Sequence, residues 1–337
     1  MATLLFGGVF QSLKDHPRWD VLYKHNDHVP WDGCVYWDLI QPAFMFIVGA
    51  AMPIAAANRG NQPWILQFLR VLFRAAKLIL LGVILDNFGA KDFNFGFIRV
   101  LQQIAIGYVF AFFVVGRSYL AQGLIAAAIL LVYTLVWVYS PYNLHGGPWV
   151  KDGWNLGKAF DLWTIGRNYS GNYVGLNAVP STATMIFGVM AGTWLTSGRP
   201  PGRTALVLLG AGAAGVLLGS LMGFGVPIIK RIWTASFAVY SAGWVAMLLA
   251  AFYWIIDGLN WKGWAFPLVV VGMNSIAAYC LGGLFGGWFR SLTGTWIAPL
   301  SDSLGPVWFP VFQRSLFAVC AWLLLFWLYR RRIFFKL

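Results

Sequence analysis

The chain has 337 residues, of which 59% belong to the AVILMFWYC class and only 10% are charged, and its mean hydropathy is +0.68. A soluble domain carries about 25% charge. Too few charges are present to coat a water-facing surface, so the composition is that of a polytopic membrane protein, and extended disorder, a coiled coil, a disulfide scaffold and a secreted globule are excluded. The balance is lopsided, with 24 Lys and Arg against 11 acids, every one of them Asp. In a soluble protein such a balance points to nucleic acid. Here basic residues at span ends hold orientation and meet anionic lipid, so membrane lipids are the expected partners and nucleic acid is not. Cys34, Cys280 and Cys320 lie at or inside apolar stretches and read as small hydrophobes, not as a disulfide or metal set.

A helical span needs about 20 mostly apolar residues. Met1 to Phe10 is apolar but too short, and it lacks the basic start and cleavage site of a signal peptide. It reads as the second half of a span whose beginning is missing. Spans are then expected at Cys34 to Ala57, Trp64 to Leu85, Phe97 to Val115, Leu120 to Tyr139 and Val179 to Thr196. Ala205 to Phe224, Thr234 to Ile256, Trp264 to Phe285 and Val307 to Tyr329 follow. The expected fold is an all-α polytopic transmembrane bundle of about nine full spans plus a partial one, a single integral-membrane domain over residues 1–337.

Two connections are long, Gln11 to Gly33 and Ser140 to Ala178, and long loops carry function or flexibility. Arg330, Arg331 and Arg332 follow the last span, with Lys336 beyond, which places the C-terminus in the cytoplasm. Counting back puts both long loops outside and Arg59, Arg117, Arg199, Arg203 and Lys262 inside. Lys14, Lys151, Lys230 and Arg231 fall outside, so a raw charge count alone does not set orientation. The expected location is the cell (inner) membrane.

The densest polar cluster runs from Lys24 to Gly49. It holds His25, Asp27, His28 and Asp32 just before a span, then Asp38 and Gln41 inside it. An ionisable group within a span is costly and functional by default. Pro42 cannot donate to the carbonyl of Asp38, so a bend is expected there, facing protein or a water-filled cavity. Imidazole titrates near neutrality, which makes His28 the natural proton acceptor, with Asp38 or Asp32 holding the ring. The plainer alternative is an interfacial histidine bonded to water or headgroups. His25, Asp27 and His28 match no firm zinc spacing, so no metal is expected.

In the next span Arg70, Arg74 and Lys77 share one face at i,i+4 and i,i+3 spacing. They either snorkel to the interface or line a route for an anionic ligand such as a nucleotide or phosphate ester. Arg99 and Gln102 are i,i+3 near the end of their span. Asn274, beside Ser275, lies mid-span, where an amide either bonds a neighbouring helix or faces a developing oxyanion. GAGAAG, Gly210 to Gly215, imitates a dinucleotide fingerprint but lies inside a membrane helix, not at a strand-to-helix turn. With Gly219 and Gly223 it reads as a small-residue packing ladder, which also permits pairing with a second copy. Asn168-Tyr169-Ser170 is a glycosylation sequon, meaningful only in a secretory pathway.

From His28 the run H-x-x-W-x-G followed by D-L-I-x-P-x-F-x-F-I-V-G resembles the heparan-α-glucosaminide N-acetyltransferase family and its bacterial relatives. The matching residues are His28, Trp31, Gly33, Asp38, Leu39, Pro42, Phe44, Phe46 and Gly49. RVLQQIAIGY from Arg99 is similar to the family's R-x-LQRIA segment, with Gln103 where Arg is usual. VPSTATMIFGVMAGTWL from Val179, KRIWTASF from Lys230 and the GMNSIAAY run around Asn274 continue the likeness over most of the chain. The first motif is the specific one. One departure is that the family's opening D-x-x-RG segment does not precede these motifs.

The resemblance implies a membrane enzyme that takes an acetyl group from cytosolic acetyl-CoA and delivers it to an amino sugar on the far side. His28 falls on the family's catalytic histidine, and Asp38, Arg99, Gln102, Trp233, Thr234 and Asn274 on characteristic positions. The expectation is thus a transmembrane acyltransferase. His28, Asp38 and Asn274 are its catalytic set, and Arg70, Arg74, Lys77, Arg99 and Gln102 bind acetyl-CoA, with an amino-sugar acceptor and no metal. The rival expectation is a transporter of a small anionic or sugar substrate, since proline-interrupted helices and mid-membrane polar residues suit passage as well as catalysis. No related halves are visible in the sequence to favour it.

Overall fold

A computed structural model of the chain describes residues 9–57, 62–91, 93, 95–143 and 146–335. Among these the regular structure is helical, and the extended pairing is an isolated antiparallel bridge between Asp32 and Ile229. The α-helices in chain order are α1 (Asp20–His25), α2 (Ile40–Ala57), α3 (Trp64–Asn87), α4 (Val100–Phe112), α5 (Tyr119–Val138), α6 (Leu156–Ile165) and α7 (Ala178–Leu195). Then come α8 (Pro201–Met222), α9 (Ala235–Tyr253), α10 (Phe266–Met273), α11 (Ser275–Cys280), α12 (Gly286–Trp296) and α13 (Ser301–Arg330). The expected half-span at Met1 to Phe10 lies largely outside the described residues, as do Arg59 and Lys336.

Among the described residues six helices are long and apolar enough to cross a membrane, or seven if one bent pair counts as a span. Nine were expected, and three segments account for the difference. α3 has 24 residues, about 36 Å at 1.5 Å per residue, but Arg70, Arg74, Lys77 and Asp86 interrupt its apolar run. α4 has 13 residues, about 20 Å, well short of a hydrocarbon core of about 30 Å. Trp264 to Phe285 is not one rod: the helical stretches Gly263–Met273 and Ser275–Trp296 meet at 72° around Asn274.

The chain forms two compact units. The larger comprises Pro30–Cys34 and Gln41–Asn260. Its α7, AVPSTATMIFGVMAGTWL, is small and apolar all round, the mark of a helix enclosed by others. Helices α4, α5 and α9 pack on it. α2 comes closer still: a Cβ added at Gly49 would run into the carbonyl of Met185, and one at Gly188 into that of Phe46. The two helices therefore touch backbone to backbone, an arrangement that small residues make possible inside a membrane. The same holds for α8 and α9, where Gly212, Gly215 and Gly219 lie against Gly243 and Tyr240. Within GAGAAG, Gly212 and Gly215 form the packing face, while an added Cβ at Gly210 meets nothing within 4 Å. Gly223, expected to extend the ladder, instead lies beside Ile228 and the Ser220 carbonyl.

The described residues of the long connection from Ser140 fold into a cap. Trp137, Val174, Ile229 and Ile232 form its buried core, edged by Trp31, Trp149 and Leu156. Indole groups tie its backbone down: Trp31 Nε1 donates to Trp149 O at 2.7 Å and Trp137 Nε1 to Pro148 O at 2.8 Å. Within the cap, α6 starts where Asn155 Oδ1 accepts from the Lys158 amide at 3.0 Å, and ends at Gly166 with φ 72°.

The smaller unit comprises the N-terminal segment to Val29, Val35–Ile40 and the chain from Trp261 onward. Ala318, Ala321 and Leu325 of α13 bury Val270, Val271 and Ala278 of α10 and α11. The N-terminal segment packs at the other end of α13: Ser12 Oγ donates to Val307 O at 2.7 Å, and the rings of His16 and Trp19 meet Trp308 edge-on.

Candidate functional site

The polar run passes from α1 through an irregular stretch into a 3₁₀ turn, Tyr36–Leu39, that opens the span Tyr36–Ala57, and His28 and Asp38 both belong to the smaller unit. The Asp38 amide donates to Val35 O at 2.9 Å. Pro42 lies in the first turn of α2, where no amide bond is due. The bend expected at Asp38 thus takes the form of a change in pitch from 3₁₀ to α.

Asp38 is fully buried. Its Oδ1 lies 2.7 Å from His28 Nδ1, and its Oδ2 accepts from the amides of Val29 and Val35, each at 3.3 Å. A carboxylate braced by two backbone donors fixes the ring that leans on it. It favours a proton on Nδ1, which makes Nε2 the basic nitrogen. The His28 side chain is 34% exposed while that of Asp38 is 1% exposed, so the imidazole is reachable and the carboxylate behind it is not. Asp32, the alternative partner, is occupied in the larger unit, where its Oδ1 accepts from the Ile228 amide at 2.9 Å. Asp27 accepts from the His28 amide at 2.8 Å and from the Tyr23 hydroxyl at 3.2 Å. Among the described residues no group of three or more His, Cys, Asp or Glu is placed to hold a metal.

Asn274 is buried at the break between α10 and α11. Its Nδ2 donates to Ile333 O at 3.0 Å, and its Oδ1 accepts from the Phe335 amide at 3.1 Å. The amide is committed to the backbone that follows α13. It lies at the Arg330 end of that helix, whereas His16 and Trp19 pack at the Trp308 end.

In the larger unit α3 and α4 are joined through Asp86. Arg99 Nε pairs with Asp86 Oδ1, Arg99 Nη2 donates to Leu85 O at 3.1 Å, and Gln102 Nε2 approaches Asp86 Oδ2 at 3.5 Å. Arg99 and Gln102 are therefore engaged with protein at this junction. The three cations of α3 share a face, yet each has its own neighbour. Arg70 donates to Gln62, the Arg74 guanidinium lies 5.0 Å from the centre of the Tyr108 ring, and Lys77 Nζ lies 4.8 Å over Phe73. Such contacts stabilise a cation at low dielectric. A separate polar chain runs from α2 through α4 to the turn before α7: Gln41 donates to Gln103, and Gln103 to Asn177. Asn177 Nδ2 donates to Arg231 O at 3.3 Å.

Trp233 and Thr234 shape the turn before α9. Trp233 is buried with φ 52°, a conformation that bulky residues adopt only under constraint. Its Nε1 donates to Thr184 Oγ1 at 3.2 Å. Thr234 Oγ1 accepts from the amides of Ile229 (3.0 Å) and Phe237 (3.4 Å), capping the helix.

Sequence reasoning missed three charged groups. Lys230, expected in an outside loop, is buried. Asp86 lies one residue past the expected end of its span. Asp161 is buried in α6, where its carboxylate accepts from the Gly175 amide at 2.9 and 3.2 Å. Burial pushes this carboxyl up to about 6, against the smaller downward pull of the Gly175 bond. The available signal was the i,i+4 spacing of Gly157 and Asp161, the two buried residues of α6.

The chain matches no family model, and no curated protein is significantly similar to it.

Proposed function

We propose that the protein is an integral-membrane acyltransferase that moves an acetyl group from acetyl-CoA to an amino-sugar acceptor. The observation that carries the reading is the His28–Asp38 pair, an imidazole fixed through Nδ1 by a carboxylate that two amides hold in place. In the proposed reaction the acceptor amine attacks the thioester carbonyl while His28 Nε2 takes its proton. The tetrahedral intermediate then expels the CoA thiolate, which leaves as the thiol once protonated by the imidazolium. An acyl-histidine route uses the same ring as nucleophile. Arg70, Arg74 and Lys77 offer the cations for the phosphates of acetyl-CoA. Arg99 and Gln102 serve by joining α3 to α4, and Asn274 by seating the C-terminal tail.

On this reading α3, α4 and the bent pair cross the inner membrane within the bundle, making nine spans, and the arginines after α13 hold the C-terminus in the cytoplasm. The likeness of the His28 to Gly49 run to the heparan-α-glucosaminide N-acetyltransferase family supports the choice of substrates. A transporter is the second reading, favoured by the 72° break at Asn274, because discontinuous helices line substrate routes.

Membrane vesicles given labelled acetyl-CoA and glucosamine distinguish the two. The acyltransferase releases free thiol and acetylates the sugar, and folded His28→Ala protein loses that activity. A His28→Ala protein that transfers at the undiminished rate overturns the proposal. Label crossing the vesicle wall with no thiol produced establishes the transporter instead.

A further inference from the structure

Helices α5, α7, α8 and α9 of the larger unit enclose a groove of about 790 Å³. Its walls are apolar, from Leu130 and Phe187 through Leu208 and Ala214 to Leu218 and Val239. Along α8 the lining runs from Val207 to Met222, about 22 Å at 1.5 Å per residue and more than half of a hydrocarbon core of about 30 Å. That is the reach of a long acyl chain, not of a small polar metabolite. The sides are open where a bilayer would be: Leu131 is 59% and Leu218 53% exposed.

Thr134 is the polar residue along the α5 wall, and Tyr119 and Trp194 lie together at one end. There Trp194 lines the groove, and its Nε1 is buried with no hydrogen-bond partner among the described residues. A buried indole N–H without an acceptor is costly, and in native structures it marks a missing group. The Arg199 guanidinium stacks 3.7 Å over the same indole, and Tyr119 meets it edge-on at 6.2 Å. The two chain segments that meet here, 113–120 and 194–204, hold Arg117, Arg199 and Arg203 and no Asp. All three arginines are exposed.

We propose that this groove seats an anionic phospholipid. Its acyl chain lies along α8, and its phosphate pairs with Arg199 and, once that side chain moves off the indole, accepts from Trp194 Nε1. A donor and a cation side by side select an acceptor with negative charge, and an apolar trough running on from them selects one that carries a chain. The seat does not depend on the acyltransferase reading.

The test is native mass spectrometry of the detergent-solubilised full chain, offered phosphatidylglycerol and phosphatidylcholine in equal amounts. Phosphatidylglycerol should be retained preferentially. Arg199→Gln and Trp194→Phe should each cut its retention about tenfold, the worth of one charge-assisted hydrogen bond. Ala214→Trp, which fills the trough, should abolish retention of both lipids. If that variant elutes as aggregate in size exclusion, the two head-group variants decide alone. Equal retention of the neutral lipid, unchanged retention in both Arg199→Gln and Trp194→Phe, or displacement of the lipid by millimolar inorganic phosphate overturns the proposal.

Discussion

Ionisation of Asp161 should loosen the cap as pH rises, and Asp161→Asn should remove the effect. The carboxyl is 2% exposed and its hydrogen-bond donor is the amide of Gly175. Burial raises it from an ordinary 3.8 to about 6. Between those values the folded cap holds a proton that the opened cap releases, so stability falls as pH rises through the window and levels off above it. At about 1.4 kcal/mol per pH unit the whole gap is worth about 3 kcal/mol. The part between pH 5 and pH 7 comes to about 1.3 kcal/mol, close to a tenfold rise in opening. Hydrogen exchange at the Gly175 amide, corrected for the intrinsic pH dependence of exchange, reads this directly. Asp161→Asn keeps an acceptor oxygen for Gly175 and carries no charge. Its profile should be flat and its protection at pH 7 higher than that of the parent. A flat or rising parent profile, or an equal slope in the variant, refutes the assignment of the penalty to this carboxyl.

Three further outcomes are expected. In Asp38→Asn the amide can donate to His28 Nδ1 and move the ring proton to Nε2, so acetyl transfer, followed by thiol release, should fall by roughly 10³ to 10⁴ with little change in thermal unfolding. Gly188→Leu should force α2 from α7 at a cost of about 3 kcal/mol or more, seen as loss of the monodisperse peak in size exclusion. Leu at Gly210, where an added Cβ meets nothing within 4 Å, should be silent in the same assay. Asn274→Ala should free the backbone at Ile333 and Phe335, and limited proteolysis should then trim the C-terminus several-fold faster while the helices stay intact.

Much of the fold was legible because a long uninterrupted apolar run has few other uses. α5, α8 and α9 follow from composition alone, and that α8 packs closely on some neighbour follows from glycine spacing. His28 and Asp38 lie ten positions apart around a proline-marked helix start, so their pairing was within reach of local reasoning. What stayed hidden depended on partners that leave no mark in the sequence. The face shared by Arg70, Arg74 and Lys77 is set by helical geometry, but Tyr108 beside Arg74 belongs to another helix. Asp86 meets Arg99 across a turn, outside any apolar pattern. Asn274 bonds backbone groups about sixty positions away, and backbone groups have no residue identity to read. The break there replaces what an apolar count sees as one continuous span.

The span containing α7 has 78% of its apolar window buried, against 22–33% in the other five. Apart from Phe187, Met190 and Trp194, which line the groove, such a rod has no lipid-facing stripe on which substitutions pass unnoticed. Saturation mutagenesis should therefore show intolerance around the rest of its circumference, while its neighbours alternate between forgiving and unforgiving positions every three or four residues. Changes in bilayer thickness or lipid type would reach it through that groove or through the helices that surround it.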